Sequence, residues 1–539
     1  MTRGTFRVAA LAFVGIALSF SSPSYAKRLI LKVKRQAGTH PLTVSYLKGL
    51  AVNQVAAEVR SLSGVNESVG LQKLGIVIVE SDGTADDLKK LLNVDYVEED
   101  TLWYPAGFES PNPADNTLGP CNADNGLNFP TNSLEIEATG DPEGRTLVAV
   151  VDTGTMVAHP VLSAAIAENA VELSGVSGVD DDANGVIDDT HGASFIAGVA
   201  SGTLQVTAAD HGTHVSGLVK VVRDQAIEEG YSQARNVEIV PLQFIGASGA
   251  GSTSDAIAAL EYAALRGVKV VNASWGARGE EANSEALKEA METLYLESDM
   301  VIAVAAGNAQ QGVANDNDVT PYYPANYSSV PSLISVASVT GFYNDSSLDL
   351  SAFSNFGKKK VHVAAVGSCY TSAFDTNGGV YSANGAYTAS NFYTRKMGTS
   401  MATPIVAGIA AVIRAINPTL TAYEVKKLLL DNATRNPLLT EYMKTEGVVN
   451  ASAAFAAALK ATTTNSRPAV GRDPYKGVGG VSTASTSSGG GCFQVQDVSE
   501  GDDTQGPLGG NSLGLAVLFF AFYRVFRLLA ARNKSRPSV

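Results

Sequence analysis

The stretch Gly398-Thr-Ser-Met-Ala-Thr-Pro404 places the hydroxyl of Ser400 at the start of a long apolar helix predicted over residues 400–416. Two earlier stretches of the chain carry other reactive groups: Val150-Val-Asp-Thr-Gly154 and Asp210-His-Gly-Thr-His-Val-Ser-Gly217. Together the three supply a hydroxyl, a carboxylate and an imidazole, the set that makes a weakly nucleophilic serine attack a carbonyl carbon. The candidate catalytic residues are Asp152, His211 and Ser400.

The spacing of these residues disfavours the sites of aspartic proteases and of zinc proteases. An aspartic protease needs two facing carboxylates in such motifs, and this chain has one Asp-Thr-Gly, at Asp152. A zinc protease needs a glutamate directly after the first histidine and a second histidine four residues on. Here Gly212 follows His211, and His214 comes three residues later. A serine before a helix is often only an N-cap, so Ser400 becomes a nucleophile candidate through the other motifs.

The stretch Ala306-Gly-Asn308 follows a predicted strand and offers an amide. Such an amide can donate a hydrogen bond to the oxyanion that forms when a carbonyl is attacked. The backbone N–H of Ser400, at the positive end of its helix, is a second donor. The pattern therefore adds Asn308 to the candidate site.

These four motifs, in this order, resemble those of the subtilisin-like serine proteases over about residues 130–460. The resemblance implies that Asp152 orients the imidazole, His211 is base and acid, Ser400 is the nucleophile, and Asn308 stabilises the oxyanion. It also implies that an extended polypeptide substrate lies between two strands of the enzyme. The implied substrate-binding residues are Ser274, Trp275 and Gly276 on one strand and Gly249, Ala250 and Gly251 on the other.

The hydrophobic pattern predicts an α/β fold. Apolar strands are predicted at 147–152, 237–245, 268–275, 301–306, 333–339 and 361–365, with helices at 211–222, 254–265 and 281–296. Buried strands separated by helices indicate a parallel sheet with helices on both faces, as in the subtilisin-like fold. Two helices among the strands of residues 27–104 predict a small α+β, ferredoxin-like unit. By type and position this unit resembles the family's inhibitory propeptide.

The ends of the chain predict secretion. Residues 1–26 have the basic, apolar and small-residue parts of a signal peptide. Residues 105–129 are expected to form a linker that contains the maturation site and the mature N-terminus, with the cut between about 105 and 121. Composition predicts a flexible tether over residues 461–512, an apolar membrane or sorting segment over 513–531, and a basic tail over 532–539. We expect a secreted, cell-surface or periplasmic bacterial protein, with an amphipathic surface helix as the alternative for the apolar segment.

Composition limits the partners. A net charge of −14 argues against nucleic acid as a partner. Three cysteines, Cys121, Cys369 and Cys492, are too few for a disulfide scaffold, and pairing of the first two stays open. The expected partners are polypeptide substrates, the chain's own propeptide as an inhibitor, and membrane or sorting machinery at the C-terminus.

An acidic stretch over residues 180–189 predicts a calcium site, with an acidic solvated loop as the alternative. Oxygen-bearing groups alternate around a glycine as in the first nine positions of a calcium loop, although His191 stands where the closing glutamate would be. No catalytic metal is expected. The predicted ligands are Asp180, Asp182, Asn184, the Val186 carbonyl and Asp188.

Two rival functions would use the same fold. A peptide-binding pseudoprotease would be expected to lack at least one of the four catalytic positions, and all four are present. A transpeptidase or cyclase would keep the triad and transfer the acyl group to an amine, so product analysis separates it from a hydrolase. A secreted endopeptidase made as a self-processing zymogen is the interpretation that accounts for all the segments.

Overall fold

The structure is a computed structural model that describes residues 27–34, 41–62, 65–81, 85–106, 144–198, 200–204, 209–310, 312–340, 348–368, 370–373 and 393–477. The predicted signal peptide, the C-terminal apolar segment, the basic tail and all three cysteines lie outside these residues.

Residues 27–106, called here the N-terminal unit, begin with a βαββαβ arrangement. Its elements are β1 (Lys27–Val33), α1 (Pro41–Arg60), β2 (Val65–Leu71), β3 (Ile76–Ser81), α2 (Ala85–Leu88) and β4 (Val94–Glu99), followed by β5 (Leu102–Pro105). Strands β1–β4 form an antiparallel sheet in the order β2-β3-β1-β4, which is the ferredoxin-like topology. Its core includes Leu29, Leu31, Val52 and Val77.

The larger unit contains the remaining elements. In chain order these are β6 (Thr146–Asp152), α3 (Ala170–Ser174), β7 (Ala193–Ser194), α4 (Asp210–Glu228), β8 (Val237–Gln243), β9 (Gly251–Ser252), α5 (Thr253–Leu265), β10 (Val270–Ala273), β11 (Trp275–Arg278), α6 (Glu285–Ser298), β12 (Val301–Ala305), β13 (Tyr322–Tyr323), β14 (Leu333–Thr340), β15 (Asp349–Leu350), β16 (Val363–Val366), β17 (Tyr370–Ala373), β18 (Tyr393–Lys396), α7 (Thr399–Ile416), α8 (Ala422–Asp431), β19 (Thr434–Arg435), β20 (Gly447–Val448) and α9 (Ala451–Ala458). The central sheet has the order β19-β20-β16-β14-β12-β10-β6-β8-β7 and is parallel from β20 to β7.

The strand order explains why helices cover both faces of this sheet. From β6 the chain passes through α4 to β8 on one side, then through α5 back past β6 to β10 on the other. Because parallel crossovers are right-handed, connections in opposite directions place their helices on opposite faces. Helix α4 packs against α7, and α5 packs against α6. The predicted α/β architecture is confirmed.

Helix α7 is buried over almost its whole length. Gly408 lets it approach α4 closely, because a Cβ at this position would lie 2.8 Å from Cβ of Val222. Within the described residues, α7 is the one helix long and apolar enough to cross a membrane, and its burial identifies it as a core helix. The residues at the N-terminal end of α7 are therefore held in place by a helix that belongs to the protein core.

Residues 461–477, which composition assigns to the flexible tether, instead pack against the larger unit. The Glu424 carboxylate accepts hydrogen bonds from this segment at residues 463, 464 and 466. Asp473 is paired with His362 and Lys426, at 2.7 and 2.9 Å. These contacts, of which the Asp473 pairs are buried, make residues 461–477 part of the folded unit.

Candidate active site

Asp152 and His211 form a buried pair at the carboxyl end of β6. The Nδ1 atom of His211 lies 2.7 Å from Oδ1 of Asp152, and the aspartate side chain is fully buried. The approach of α4 to β6 requires glycine after the histidine, because a Cβ at Gly212 would lie 2.0 Å from the carbonyl oxygen of Gly154. A carboxylate only accepts hydrogen bonds, so Nδ1 carries the proton and Nε2 is left as an acceptor. Among the described residues, His211 Nε2 has no hydrogen-bond partner.

Ser400 is the second residue of α7 and is fully buried. Its hydroxyl donates to the carbonyl of Ser274 at 2.8 Å, and the Ser274 hydroxyl donates to the carbonyl of Ser400 at 3.0 Å. The structure contains no hydrogen bond between this hydroxyl and His211, although both residues are described. The Ser274 carbonyl competes for the same proton, so a rotation about the Cα–Cβ bond of Ser400 must precede a contact with the imidazole.

Two donors converge on the carbonyl oxygen of Ala106. The backbone N–H of Ser400 donates to it at 3.1 Å, and the Nδ2 amide of Asn308 makes a short hydrogen bond to the same oxygen. The orientation of the Asn308 amide is set by Thr399, whose N–H and hydroxyl both donate to Asn308 Oδ1 at 3.0 Å. Residues 152, 274 and 308 lie at or just after the carboxyl ends of β6, β10 and β12, which are neighbours in the sheet. This edge is where open parallel sheets bind ligands.

Strand β5 of the N-terminal unit lies between β11 and β9 and pairs antiparallel with both. Trp275 pairs with Pro105 and Gly276 with Tyr104, while the Ala106 N–H donates to the Ser274 carbonyl at 2.9 Å. On the other side, the pairing residues are Gly251 and Ser252. Gly249 and Ala250 precede this strand, in the turn that closes between Gly246 and Ala250. The cleft between the two predicted strands thus holds an extended segment of the chain itself.

The side chains of residues 102–104 alternate between exposed and buried, as expected for a strand. Leu102 and Tyr104 are 55% and 50% exposed, whereas Trp103 between them is 0% exposed. Ala106, which follows the strand, is 3% exposed. The Trp103 ring packs edge-on against Trp275, with ring centroids 5.5 Å apart. Sequence analysis missed β5, since a four-residue segment that ends in proline carries little strand signal by itself.

Comparison with known protein families assigns the chain to one of them. The model of the subtilase family matches residues 144–455, which contain Asp152, His211, Asn308 and Ser400. The chain belongs to the subtilase family.

Individual relatives agree with this assignment. The subtilase is 30% identical to subtilisin DY of Bacillus licheniformis over 320 residues, which are 59% of this chain and 94% of that protein. It is 29% identical to subtilisin-like protease 1 of Plasmodium vivax over 317 residues, 57% of this chain but 46% of that protein. Its fold resembles that of fervidolysin from Fervidobacterium pennivorans, a keratinolytic enzyme related to subtilisin. That likeness has a TM-score of 0.52 at 22% identity and covers 80% of this chain and 61% of the other. The protein is therefore a subtilisin-like serine endopeptidase.

The N-terminal unit of the subtilase places carboxylates at the N-termini of two helices. Asp100 accepts hydrogen bonds from the N–H and hydroxyl of Ser254, at the start of α5, at 2.9 and 2.6 Å. Glu98 accepts from the N–H of Ala286, at the start of α6, at 3.1 Å. Negative charge is favourable at these positive helix ends. Burial raises the pKa of both carboxyl groups, and the hydrogen bonds from the helix ends oppose that rise.

A second set of polar contacts fixes the sheet of this unit against α5. Arg28 pairs with Asp255 at 2.8 Å, and burial raises the pKa of Asp255 to about 6 although the guanidinium opposes the shift. The carboxylate of Glu261 accepts from the N–H groups of Lys73 and Leu74 at 2.7 and 2.8 Å. These contacts hold the sheet in place while β5 extends from it into the cleft.

The acidic loop of the subtilase brings together two of the five predicted calcium ligands. Asp180 and Asp182 lie with Glu172 of α3 so that one oxygen from each is within 4.8 Å of the others. Asp188 is directed elsewhere, and both its oxygens accept from the Gly178 N–H, at 3.1 and 2.9 Å.

Of the other two predicted ligand groups, Asn184 Oδ1 accepts a hydrogen bond within the loop, from the Val186 N–H at 2.9 Å. Glu172 was missed by the sequence analysis because it lies eight residues before the loop begins.

Proposed function

We propose that the protein is made as a zymogen that cuts itself after Ala106, using Ser400, His211, Asp152 and Asn308. The observation that carries this proposal is the double hydrogen bond to the Ala106 carbonyl from Ser400 N–H and Asn308 Nδ2. Donors placed around one carbonyl oxygen mark the bond where negative charge develops in acyl transfer. The reacting bond is therefore the one between Ala106 and the next residue in sequence, Gly107.

In this reaction Ser400 Oγ attacks the Ala106 carbonyl carbon. His211 Nε2 takes the hydroxyl proton and then gives it to the leaving amine of Gly107, while Asp152 keeps the Nδ1 proton in place and stabilises the imidazolium. The tetrahedral oxygen is held by Ser400 N–H and Asn308 Nδ2. Water then hydrolyses the acyl-enzyme by the same steps in reverse order, which leaves Ala106 with a free carboxylate.

After the cut, the N-terminal unit acts as a product-like inhibitor. Its strand β5 occupies the cleft on both sides, through pairing with Gly276 and Gly251. The carboxylates at α5 and α6 hold the unit from outside the cleft. Polypeptide substrates bind as the same added strand once this unit has left.

We also propose that calcium stabilises the acidic loop. Three carboxylates with all-oxygen donors suit this hard cation, and Glu172 supplies the acidic ligand absent from position twelve. Bound calcium would neutralise the mutual repulsion of Glu172, Asp180 and Asp182. Its role is structural, because none of these residues belongs to the catalytic set.

Secretion and attachment complete the proposal. Residues 1–26 direct export and are removed, and the apolar segment 513–531 with its basic tail engages a membrane or sorting machinery. The support for both is the sequence pattern alone.

The decisive variant is Ser400→Ala. We expect an uncut precursor and a loss of peptidase activity of about 10⁶ in kcat, the size known for the same replacement in subtilisin. A precursor matured normally in this variant would assign processing to another protease, and retained peptidase activity would refute the proposed nucleophile. Cleavage products formed in the presence of an added amine distinguish hydrolysis from acyl transfer.

A further inference from the structure

We propose that the pocket occupied by Trp103 gives the enzyme a preference for substrates that carry tryptophan at this position. The Thr253 hydroxyl recognises the indole of that tryptophan. In a substrate this tryptophan stands three residues before the residue whose carbonyl is attacked, as Trp103 stands before Ala106. The inference rests on the proposed function, since it assumes that substrates follow the path of β5.

The recognition contact is a buried hydrogen bond. Trp103 Nε1 donates to Thr253 Oγ1 at 2.8 Å, and both residues are fully buried. An indole N–H is a donor only, so it needs an acceptor when it leaves water. The Thr253 hydroxyl also lies 2.7 Å from the hydroxyl of Thr101 and 3.3 Å from its carbonyl. Its own proton can go to Thr101, which leaves a lone pair for the indole.

The other described residues of the pocket are aromatic, and they discriminate between side chains only by size and shape. Trp103 packs edge-on against Trp275 at an interplanar angle of 66°, and Trp275 packs edge-on against Phe244 at a centroid distance of 4.9 Å. Any large ring satisfies such contacts. The Thr253 oxygen is the feature that distinguishes indole from a ring of similar size without an N–H.

The main chain fixes how deeply the ring enters the pocket. Trp103 pairs with Gly251 in the antiparallel ladder, and a Cβ at Gly251 would lie 2.5 Å from the Phe244 ring. The β9 backbone that pairs with Trp103 therefore lies directly against Phe244, which forms part of the pocket. Because this ladder fixes the position of the β5 backbone, it also fixes how far the indole nitrogen extends towards Thr253 Oγ1.

The preference has a simple physical origin. A ring without N–H leaves a buried hydroxyl lone pair unused, and removal of the hydroxyl leaves a buried indole N–H without an acceptor. Loss of one partner of a buried hydrogen bond corresponds to roughly tenfold in kcat/KM. This discrimination is absent if the pocket reads size alone.

The test uses the full chain after its own maturation, with internally quenched peptides based on residues 101–106 followed by glycine. The Trp103 position carries tryptophan, 2-naphthylalanine or phenylalanine. For the wild-type enzyme we expect kcat/KM for the tryptophan peptide to exceed that for the naphthylalanine peptide about tenfold. A peptide with alanine at the exposed Leu102 position is the matched control, and its kcat/KM should be within about twofold of the parent's.

Two enzyme variants locate the effect. Thr253→Val, of nearly the same shape, should remove or reverse the preference for tryptophan over naphthylalanine, and Thr253→Ser should keep it. Equal kcat/KM for the two peptides with wild-type enzyme, or an unchanged ratio in Thr253→Val, would overturn this inference and leave the proposed function intact. If Thr253→Val does not mature, the wild-type ratio decides. Absence of cleavage of every peptide would instead refute the proposed function, and this inference with it.

Discussion

Replacement of Trp103 by alanine should sharply weaken the inhibition of the enzyme by its own N-terminal unit. The side chain is fully buried in the cleft, and one of this size removes about 200 Å² from water. At about 25 cal/mol per Å² this burial contributes about 5 kcal/mol as an upper bound, and the bond to Thr253 adds about 1 kcal/mol. Truncation of such buried rings costs about 3–5 kcal/mol in practice. We therefore expect the inhibition constant to rise about 10²- to 10⁴-fold.

The assay is a titration of matured enzyme with residues 27–106 made as a separate chain, with a fluorogenic peptide as the reporter. Tyr104→Ala is the matched control, because this neighbour is half-exposed and an aromatic ring is removed from the same strand. Its inhibition constant should change by less than about fivefold. Equal effects of the two substitutions would show that the pocket around Trp103 does not hold the unit, and would refute the reasoning.

Three further predictions concern Asn308, the acidic loop, and the contact of Glu424 with residues 461–477. Asn308→Ala should lower kcat about 10²- to 10³-fold, the loss known for an equivalent donor in subtilisin, with little change in KM; an unchanged kcat would remove Asn308 from the oxyanion site. Calcium at 100 times its Kd should stabilise the wild type by about 2.7 kcal/mol relative to the protein in chelator, which is measured as a rise in melting temperature. Glu172→Gln should abolish this rise and Asp188→Asn should preserve it. Equal loss in both variants would show that Asp188 is a ligand, as the sequence predicts. Although burial opposes ionisation, hydrogen bonds from Thr421, Thr464 and Thr463 lower the pKa of Glu424 to about 2, so its stabilisation is present above about pH 4.5 and is lost as the pH falls towards 2. Glu424→Gln should therefore lower the denaturant midpoint at pH 7 and change it much less at pH 3, and a pH-independent difference would contradict this.

The central sheet and the catalytic candidates could be predicted from sequence because their signals are local. Buried strands such as β6 and β12 are continuous apolar runs, which parallel sheets require. Asp152 and Asn308 come at or just after the ends of such runs, and Ser400 begins an apolar helix. Residues with these positions lie along one edge of a parallel sheet, and the adjacency of β6, β10 and β12 in the strand order brings them together.

Features that depend on pairing across the chain were beyond this reasoning. Strand β5 exists because β9 and β11 provide its partners, about 150 and 170 positions later. The contact of Trp103 with Thr253 and the place of Glu172 beside Asp180 arise in the same way. Residues 461–477 were assigned to a tether by composition, and their packing depends on a few buried charges, Asp473 above all, rather than on an apolar pattern.

The identity of the bond cut during maturation tests the central claim most directly. N-terminal sequencing and intact mass of the matured wild-type chain should give Gly107 as the first residue, with the released unit ending at Ala106. The Ser400→Ala chain should keep this bond intact under the same conditions. A mature chain that begins elsewhere while the bond after Ala106 stays uncut, or a Gly107 terminus in Ser400→Ala, would contradict the account.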